Sequence, residues 1–232
     1  MKTVILCGGK GTRMGALSES LPKPLVKIGD KPVLWHIMKI YSHYGFNEFV
    51  LCLGYKGKLI KEYFAKHNNE AWEINFVETG ENSSKSQRLA KIGKFVKGPF
   101  FLAYGDDVAD IDLKELLKFH QKNNKIGTIT AVRPQSPFGV MNLSKDGAIE
   151  SFEEKPVLDQ WINGGFMVLE EKIFDFLKLG ELEEEVFKKL VKEKQLNAFR
   201  HYGKWKAMNT LKDNIELNEL WQEKKSFWKA WK

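Results

Sequence analysis

The residues best suited to chemistry lie close together near the N-terminus, in the stretch 6–24. Backbone N–H donors, a hydroxyl and a planar guanidinium are offered in sequence by Gly8, Gly9, Gly11, Thr12 and Arg13. Glycines let a bulky anion approach bare backbone N–H groups, and a guanidinium fork suits phosphate oxygens. Lys23, between two prolines, adds a point charge on a stiffened backbone. The spacing therefore predicts a phosphate-binding loop.

Two better-known phosphate loops do not fit this stretch. The third glycine of a dinucleotide fingerprint falls on Met14, and no Gly-Lys-Ser/Thr closes a Walker-type loop. The missing glycine disfavours a nicotinamide-dependent oxidoreductase. A glycine cluster after a strand is also compatible with a simple turn, so the loop alone leaves phosphate binding open.

Further motifs follow the loop in a fixed order. They are GYKGKLIKEYF at 54–64, YGDDVADIDL at 104–113, SFEEKP at 151–156, INGGFMVL at 162–169 and MNTLKDNIELNELW at 208–221. Together with GGKGTRM and LPKPLVKIGDKPVLWHIMKIYSHYGF, they resemble the sugar-1-phosphate nucleotidyltransferases, and most of all the glucose-1-phosphate cytidylyltransferase branch. The resemblance runs nearly from end to end, which makes it far more specific than any single loop.

The resemblance implies roles for individual residues. Nucleotide binding is expected from Leu6, Gly8, Gly9, Gly11, Thr12, Arg13, Lys23, Thr79, Gly80, Arg88 and Asp106. Binding of the sugar phosphate is expected from Gly139, Glu154, Lys155, Asn163 and Gly164. The catalytic residues would be Arg13, Lys23 and Asp106.

The implied reaction is nucleotidyl transfer from CTP to a sugar 1-phosphate, above all glucose 1-phosphate, giving a CDP-sugar and pyrophosphate. The implied cofactor is Mg²⁺, held by Asp106. The family's second metal-binding aspartate is replaced by Asn209, so this second ligand is left open. Asp107 stands where the branch usually has glycine, and one hypothesis is that it restores the missing carboxylate.

Three departures from the family pattern keep other functions open. Ser86 and Gln87 replace two glycines near the base, an insertion before Thr79 is missing, and Asn209 carries no charge. A transferase with another nucleotide or another phosphorylated acceptor is the first alternative. A catalytically weak homologue that binds nucleotide and acts as a sensor or assembly partner is the second.

The elements that must position these residues alternate along the chain. Strands are predicted at 2–6, 48–53, 72–77, 100–104, 127–132, 161–169, 196–201 and 204–207, and helices at 32–44, 58–67, 113–123, 171–177, 182–193 and 211–224, with a short helix ending near 89. A hairpin at 140–143 and 148–152 is predicted as an antiparallel lid over the sugar side. The fold class is therefore α/β, a doubly wound, mostly parallel mixed sheet of the Rossmann-like kind.

Length and composition favour one soluble domain over residues 1–232. Its nucleotide-binding part is expected at about 1–132, its sugar-binding part at about 133–210, and its C-terminal helix and tail at 211–232. The net charge of +7 comes from scattered lysines that alternate with acidic residues, so no nucleic-acid partner is expected. No apolar stretch approaches a membrane span, and a cytoplasmic homo-oligomer is expected.

Two residue types are assigned to packing rather than chemistry. Cys7 and Cys52 both end apolar strands and are expected to be buried thiols. Trp221, Trp228 and Trp231 in the C-terminal tail are expected to serve core packing or a subunit contact.

Overall fold

The computed structural model describes residues 1–15 and 20–231. The sequence predictions for the loop 6–24 and the tail 211–232 include residues 16–19 and 232, which lie outside the described residues. The strands are β1 (Thr3–Leu6), β2 (Lys27–Ile28), β3 (Lys31–Pro32), β4 (Glu48–Leu53), β5 (Glu73–Glu78), β6 (Phe100–Tyr104), β7 (Asp107–Ala109), β8 (Gly127–Val132), β9 (Val140–Leu143), β10 (Ile149–Glu153), β11 (Ile162–Leu169), β12 (Leu196–Arg200) and β13 (Trp205–Ala207). The α-helices are α1 (Val33–His43), α2 (Gly57–His67), α3 (Lys85–Ile92), α4 (Leu113–Asn123), α5 (Lys188–Lys192) and α6 (Leu211–Gln222).

A seven-stranded sheet forms the centre of the fold, in the order β12-β8-β11-β6-β1-β4-β5. β11 runs antiparallel to both of its neighbours, and the other pairings are parallel. Alternate residues of β4 face opposite sides, with Phe49 and Leu51 in one buried cluster and Val50 and Cys52 in the other. Each face of the sheet therefore has its own apolar core, and the predicted doubly wound α/β class is confirmed.

Several predicted elements differ from those observed. The helix predicted at 171–177 is a 3-10 turn at Glu171–Asp175 followed by a second one at Leu177–Leu179. The helix predicted at 182–193 begins as a π-helix, Leu182–Phe187, and continues as α5. Gly180, with φ of 137°, separates the two helical segments.

Two small sheets were missed by sequence reasoning. β2 pairs with β3, and β7 pairs with β13. β13 was predicted as the strand 204–207, whereas β2, β3 and β7 have only two or three residues each, too few for a visible alternation of apolar and polar side chains. The second pair matters for the site, because it brings the segment after β13 next to the residues after β6.

The predicted hairpin is present as β9 and β10, and all nine of its strand residues are exposed. Exposed apolar side chains stand on and around it: Phe138, Val140, Met141, Leu143, Ile149, Phe152 and Val157. Its role as a lid stays a prediction.

The C-terminal tail packs against α1 through aromatic rings that surround His36. Trp228 is fully buried, and its Nε1 donates to Nδ1 of His36 at 3.3 Å. The other ring nitrogen, Nε2, donates to the carbonyl oxygen of Ile28 at 2.9 Å. A carbonyl only accepts, so these contacts fix the neutral tautomer with the proton on Nε2. The prediction that the tail tryptophans serve core packing holds for Trp228.

Burial lowers the pKa of His36 to about 4, and the hydrogen bond to Ile28 opposes this shift only in part. The charged groups nearest to it are Asp30, which raises the pKa, and Lys31, which lowers it. In the unfolded chain a histidine titrates near pH 6.5. The unfolded state therefore binds more protons between about pH 6.5 and pH 4, and stability falls as the pH drops through this window.

We expect wild-type protein to lose about 2 kcal/mol of unfolding free energy through His36 between pH 7 and pH 4.5. Urea unfolding at the two pH values measures this loss, and His36→Gln should lose correspondingly less. His43→Gln, at an exposed histidine of the same helix, is the matched control and should behave like wild type. An equal pH-dependent loss in wild type and His36→Gln would contradict the assignment.

Candidate active site

A cavity of about 590 Å³ opens at the carboxyl ends of β1 and β6. This edge of a parallel sheet is where ligands bind in doubly wound folds. The predicted site residues that line it are Leu6, Gly8, Gly9, Gly11, Thr12, Arg13, Lys23, Arg88, Asp106, Asn163 and Asn209. The predicted residues that do not line it are Thr79, Gly80, Gly139, Glu154, Lys155 and Gly164. The structure thus brings the predicted phosphate loop and the predicted metal site into one cavity.

Lys23 is at the centre of this cavity and is 8% exposed. Its ammonium forms an ion pair with the carboxylate of Asp106 and donates to Oδ1 of Asn209 at 3.0 Å. A 3-10 turn, Lys23–Leu25, holds the lysine in place. The N–H of Met208 donates to the carbonyl oxygen of Asp106 at 2.9 Å, which fixes Asn209 beside Asp106.

The oxygens of Asp106 and Asn209 converge on one point, since both contact the same lysine nitrogen. Hard oxygen donors are the ligands that Mg²⁺ prefers, and Mg²⁺ commonly takes only one or two protein ligands with phosphates and water completing the set. The donor chemistry of these two side chains therefore fits the ion, and the ammonium of Lys23 would have to leave their oxygens for the ion to be held there. Within residues 1–15 and 20–231, no cluster of three or more His, Cys, Asp or Glu side chains offers a metal site.

Asp107 is buried beneath the cavity, and a Cβ on Gly165 would lie 2.1 Å from its Oδ2. Burial raises the pKa of Asp107 well above its ordinary value, and the neighbouring charge of Asp106 raises it further. These effects favour the neutral acid as long as no cation lies beside it. The hypothesis that Asp107 replaces the missing carboxylate stays a prediction.

The guanidinium of Arg88 is directed at backbone oxygens behind the loop. It donates to the carbonyl oxygens of Gly8 at 2.9 Å and Leu53 at 3.2 Å, and to those of Gly80 and Glu81. It also donates to Oγ1 of the fully buried Thr79 at 2.7 Å. Arg88 therefore ties the ends of β1, β4 and β5 together, and its predicted role as a nucleotide ligand stays a prediction.

The sugar side of the cavity is less complete than the phosphate side. Asn163 donates from Nδ2 to the hydroxyl of Tyr104 at 3.1 Å, and Nε1 of Trp205 donates to the carbonyl oxygen of Gly164 at 2.9 Å. Glu154 and Lys155 are exposed and contact each other at 3.6 Å. Gly139 adjoins them, since a Cβ there would lie 3.0 Å from Oε2 of Glu154. These last three residues lie beside the hairpin, outside the cavity lining.

Sequence reasoning missed several side chains that line the cavity: Ser83, Ser84, Lys85, Tyr104, Glu181 and Trp205. Lys85 and Ser84 belong to the start of α3, where Ser84 and Gln87 form a reciprocal capping box. The Ser-x-x-Gln pattern was the available signal for this helix start. It also explains why Gln87 is tolerated where the family pattern has glycine.

Fold and site together define an α/β protein that binds a nucleotide or similar polyphosphate at the carboxyl edge of a parallel sheet. The family model described as "Nucleotidyl transferase" matches residues 2–224. The chain therefore belongs to the nucleotidyl transferase family.

Curated relatives support a closer relationship within this family. The chain is 44% identical to "Probable glucose-1-phosphate cytidylyltransferase" of Bacillus subtilis and 40% identical to "Glucose-1-phosphate cytidylyltransferase" of Salmonella typhimurium. Both alignments cover 100% of this chain and 100% of the relative. A "Mannose-1-phosphate guanyltransferase" of Kluyveromyces lactis is 34% identical over 95% of this chain and 64% of its own length.

Solved structures share the fold. HddC from Yersinia pseudotuberculosis complexed with GMP-PN has a TM-score of 0.74 at 23% identity, over 95% of this chain and 99% of that one. A UDP-glucose pyrophosphorylase complexed with UDP-glucose has a TM-score of 0.73 at 18% identity, over 96% and 98%. Among the described helices, none is long and apolar enough to cross a bilayer.

The glycine loop offers a matched pair of variants. A Cβ at Gly8 would lie 2.0 Å from Nη1 of Arg88, whereas a Cβ at Gly9 would meet no atom of residues 1–15 and 20–231 within 4 Å. Arg88 is held by several hydrogen bonds, so it cannot move aside without losing them. We expect Gly8→Ala to lower the unfolding free energy by about 2 to 4 kcal/mol and Gly9→Ala to change it by less than about 1 kcal/mol.

Urea unfolding of both variants measures the difference. Equal stability of Gly8→Ala and Gly9→Ala would contradict the view that Arg88 is fixed against the loop.

Proposed function

We propose that the protein transfers a cytidylyl group from CTP to a sugar 1-phosphate, with glucose 1-phosphate as the acceptor and CDP-glucose and pyrophosphate as products. The observation that carries the proposal is the cavity in which the glycine loop meets Lys23, Asp106 and Asn209. Relatives named for this activity align over their whole length at 40–44% identity.

The reaction joins two anions and needs no nucleophile from the protein. A phosphate oxygen of the sugar 1-phosphate attacks the α-phosphorus of CTP, the bond from that phosphorus to the bridging oxygen breaks, and pyrophosphate leaves with its electron pair. The protein has to align the two anions and stabilise the charge that moves to the leaving group.

The residues of the cavity are suited to these tasks. Backbone N–H groups of the segment Gly8–Thr12 bind the β- and γ-phosphates, and Arg13 adds a charged donor to the leaving pyrophosphate. Lys23 lies beside Asp106 and Asn209, and its ammonium would turn to the α-phosphate when those oxygens hold Mg²⁺.

Asp106 and Asn209 would hold Mg²⁺ against the triphosphate, where the ion supplies positive charge to the phosphate oxygens. Asn163 and Gly164 orient the sugar, and Glu154 and Lys155 together with Gly139 complete the sugar-phosphate site from the hairpin side. Gly139, Glu154 and Lys155 do not line the cavity, so this proposal requires them to move closer when the sugar 1-phosphate binds.

We also infer that the chain forms a homo-oligomer through the apolar side chains around β9 and β10. Phe138 is 74% exposed and Ile149 is 62% exposed, and contiguous apolar surface of this kind marks interaction sites. Sedimentation equilibrium tests this inference, and a monomer at micromolar concentration would overturn it.

The function is tested by pyrophosphate release with CTP, Mg²⁺ and α-D-glucose 1-phosphate, beside UTP, dTTP and GTP. We expect turnover with CTP, and a loss of about 100-fold or more in kcat/KM for Lys23→Ala with the fold retained by circular dichroism. Binding of CTP without turnover on any sugar phosphate would favour the nucleotide-binding homologue instead.

Asn209→Asp adds a carboxylate at the proposed metal site. We expect Mg²⁺ to bind the CTP-loaded variant about tenfold more tightly, because a charged ligand replaces an amide oxygen. Isothermal titration with Mg²⁺ measures this without reference to turnover. Asn69→Asp, at an exposed asparagine far along the chain, makes the same charge change and should leave Mg²⁺ affinity unaltered. An unchanged affinity in Asn209→Asp would remove this residue from the metal site.

A further inference from the structure

Carboxylates stand beside a cavity that is otherwise suited to a polyanion. Glu181 lines the cavity, and Glu183 is joined to two residues that line it, Lys85 and Tyr104. A carboxylate near a triphosphate is repelled by it unless a cation offsets its charge or it binds a donor group of the same ligand. In a nucleotide those donors are the sugar hydroxyls and the N–H groups of the base.

Lys85, Tyr104 and Glu183 form one connected cluster. Lys85 forms an ion pair with Oε1 of Glu183, and its Nζ lies 4.6 Å from the centre of the Tyr104 ring. The Tyr104 hydroxyl donates to the same Oε1 at 2.5 Å. Burial, followed by the charge of Glu183, raises the pKa of Tyr104, so the hydroxyl stays a donor. Asn163 donates to this hydroxyl and links the cluster to the sugar side.

The cluster still has hydrogen-bonding capacity for a ligand. Both contacts to Glu183 are made through Oε1, and Oε2 has no hydrogen-bond partner in the part of the chain that the structure describes. An ammonium has three donors, so Lys85 keeps donors beyond its ion pair. One acceptor and one donor are therefore available side by side, without breaking the contact between them.

Two local structures fix this pair. Lys85 is the first residue of α3, directly after the Ser84 of the capping box. Glu183 is the second residue of the π-helix Leu182–Phe187, a rare conformation that is frequent at functional sites. The pair therefore comes from two ordered elements that are 98 residues apart in the chain.

The position of the pair assigns it to the base. The glycine loop and Lys23 take the phosphates, and Asn163 marks the side of the sugar acceptor. Ser83, Ser84, Lys85 and Glu181 line a further part of the cavity wall, and this part is available to the nucleoside.

We propose that Lys85 and Glu183 select the base of the nucleotide by reading the edge of cytosine. Glu183 accepts a hydrogen bond from the exocyclic N4 amino group, and Lys85 donates to the neighbouring ring nitrogen N3. Uracil presents a carbonyl oxygen where cytosine has the amino group, and an N–H where cytosine has an acceptor, so both contacts become repulsive. This inference rests on the proposed use of a nucleoside triphosphate at the same cavity.

The test is the ratio of affinities for CTP and UTP, measured by isothermal titration with Mg²⁺ and also as kcat/KM for pyrophosphate release. In Glu183→Gln we expect the preference for CTP over UTP to fall by about tenfold, because the amide presents a donor as readily as an acceptor. Lys85→Met should weaken the binding of CTP more than the binding of UTP. ATP is included, because adenine presents the same order of donor and acceptor on a larger ring.

Glu184→Gln is the matched control, since Glu184 is the next residue of the same π-helix and is exposed. It should keep the wild-type ratio. The proposal would be overturned if Glu183→Gln kept the wild-type ratio of CTP to UTP affinity or lost affinity for both nucleotides equally. Loss of a merely structural residue would lower the two affinities by the same factor. Titration reports the ratio even if no pyrophosphate is released, so failure of the proposed reaction is distinguishable from failure of the base assignment.

Discussion

The ion pair between Lys23 and Asp106 is the interaction around which the site is arranged. A lysine that is 8% exposed needs a nearby negative charge, because burying an unpaired ammonium is very unfavourable. Asp106 provides it from the end of β6, and Asn209 adds an acceptor from the segment after β13. This requirement explains why the short pair of β7 and β13 exists, because it holds the two oxygens at one nitrogen.

Arg88 has the corresponding role for the backbone carbonyl groups near the cavity. Three strands end at the same edge of the sheet, where the carbonyl oxygens of Leu53 and Gly8 each accept a backbone N–H and also a donor from Arg88. Buried carbonyl groups need donors, and a guanidinium supplies several of them in one plane. By filling this need, Arg88 sets the path of the glycine loop before any nucleotide binds. Gly8, Gly9 and Gly11 line the cavity, and a loop whose path is already fixed loses less entropy on binding.

The sequence was informative where the signal is local. An apolar run followed by Gly8 and Gly9 predicted both β1 and the loop, and the Asp-Gly turn near Gly147 predicted the hairpin. Contacts between distant residues had no such signal, since Lys23 and Asn209 are 186 residues apart. A sequence also does not reveal which side-chain donors will bind backbone carbonyl oxygens. Arg88 was therefore interpreted only as a nucleotide ligand. The π-helix was read as an α-helix because its apolar spacing is close to that of one.

The exchange of an aspartate for Asn209 changes the charge balance that a nucleotide meets. Two carboxylates around Lys23 would leave a net negative charge at the point where the phosphates arrive, and that charge would favour a metal ion but oppose the polyanion. With Asn209 the charge of Lys23 is paired with that of Asp106, and burial favours the neutral form of Asp107. In the proposed reaction the phosphates therefore approach a neutral ion pair beside Arg13. Under that proposal the substitution shifts part of the electrostatic stabilisation from the metal ion to the protein's own cations.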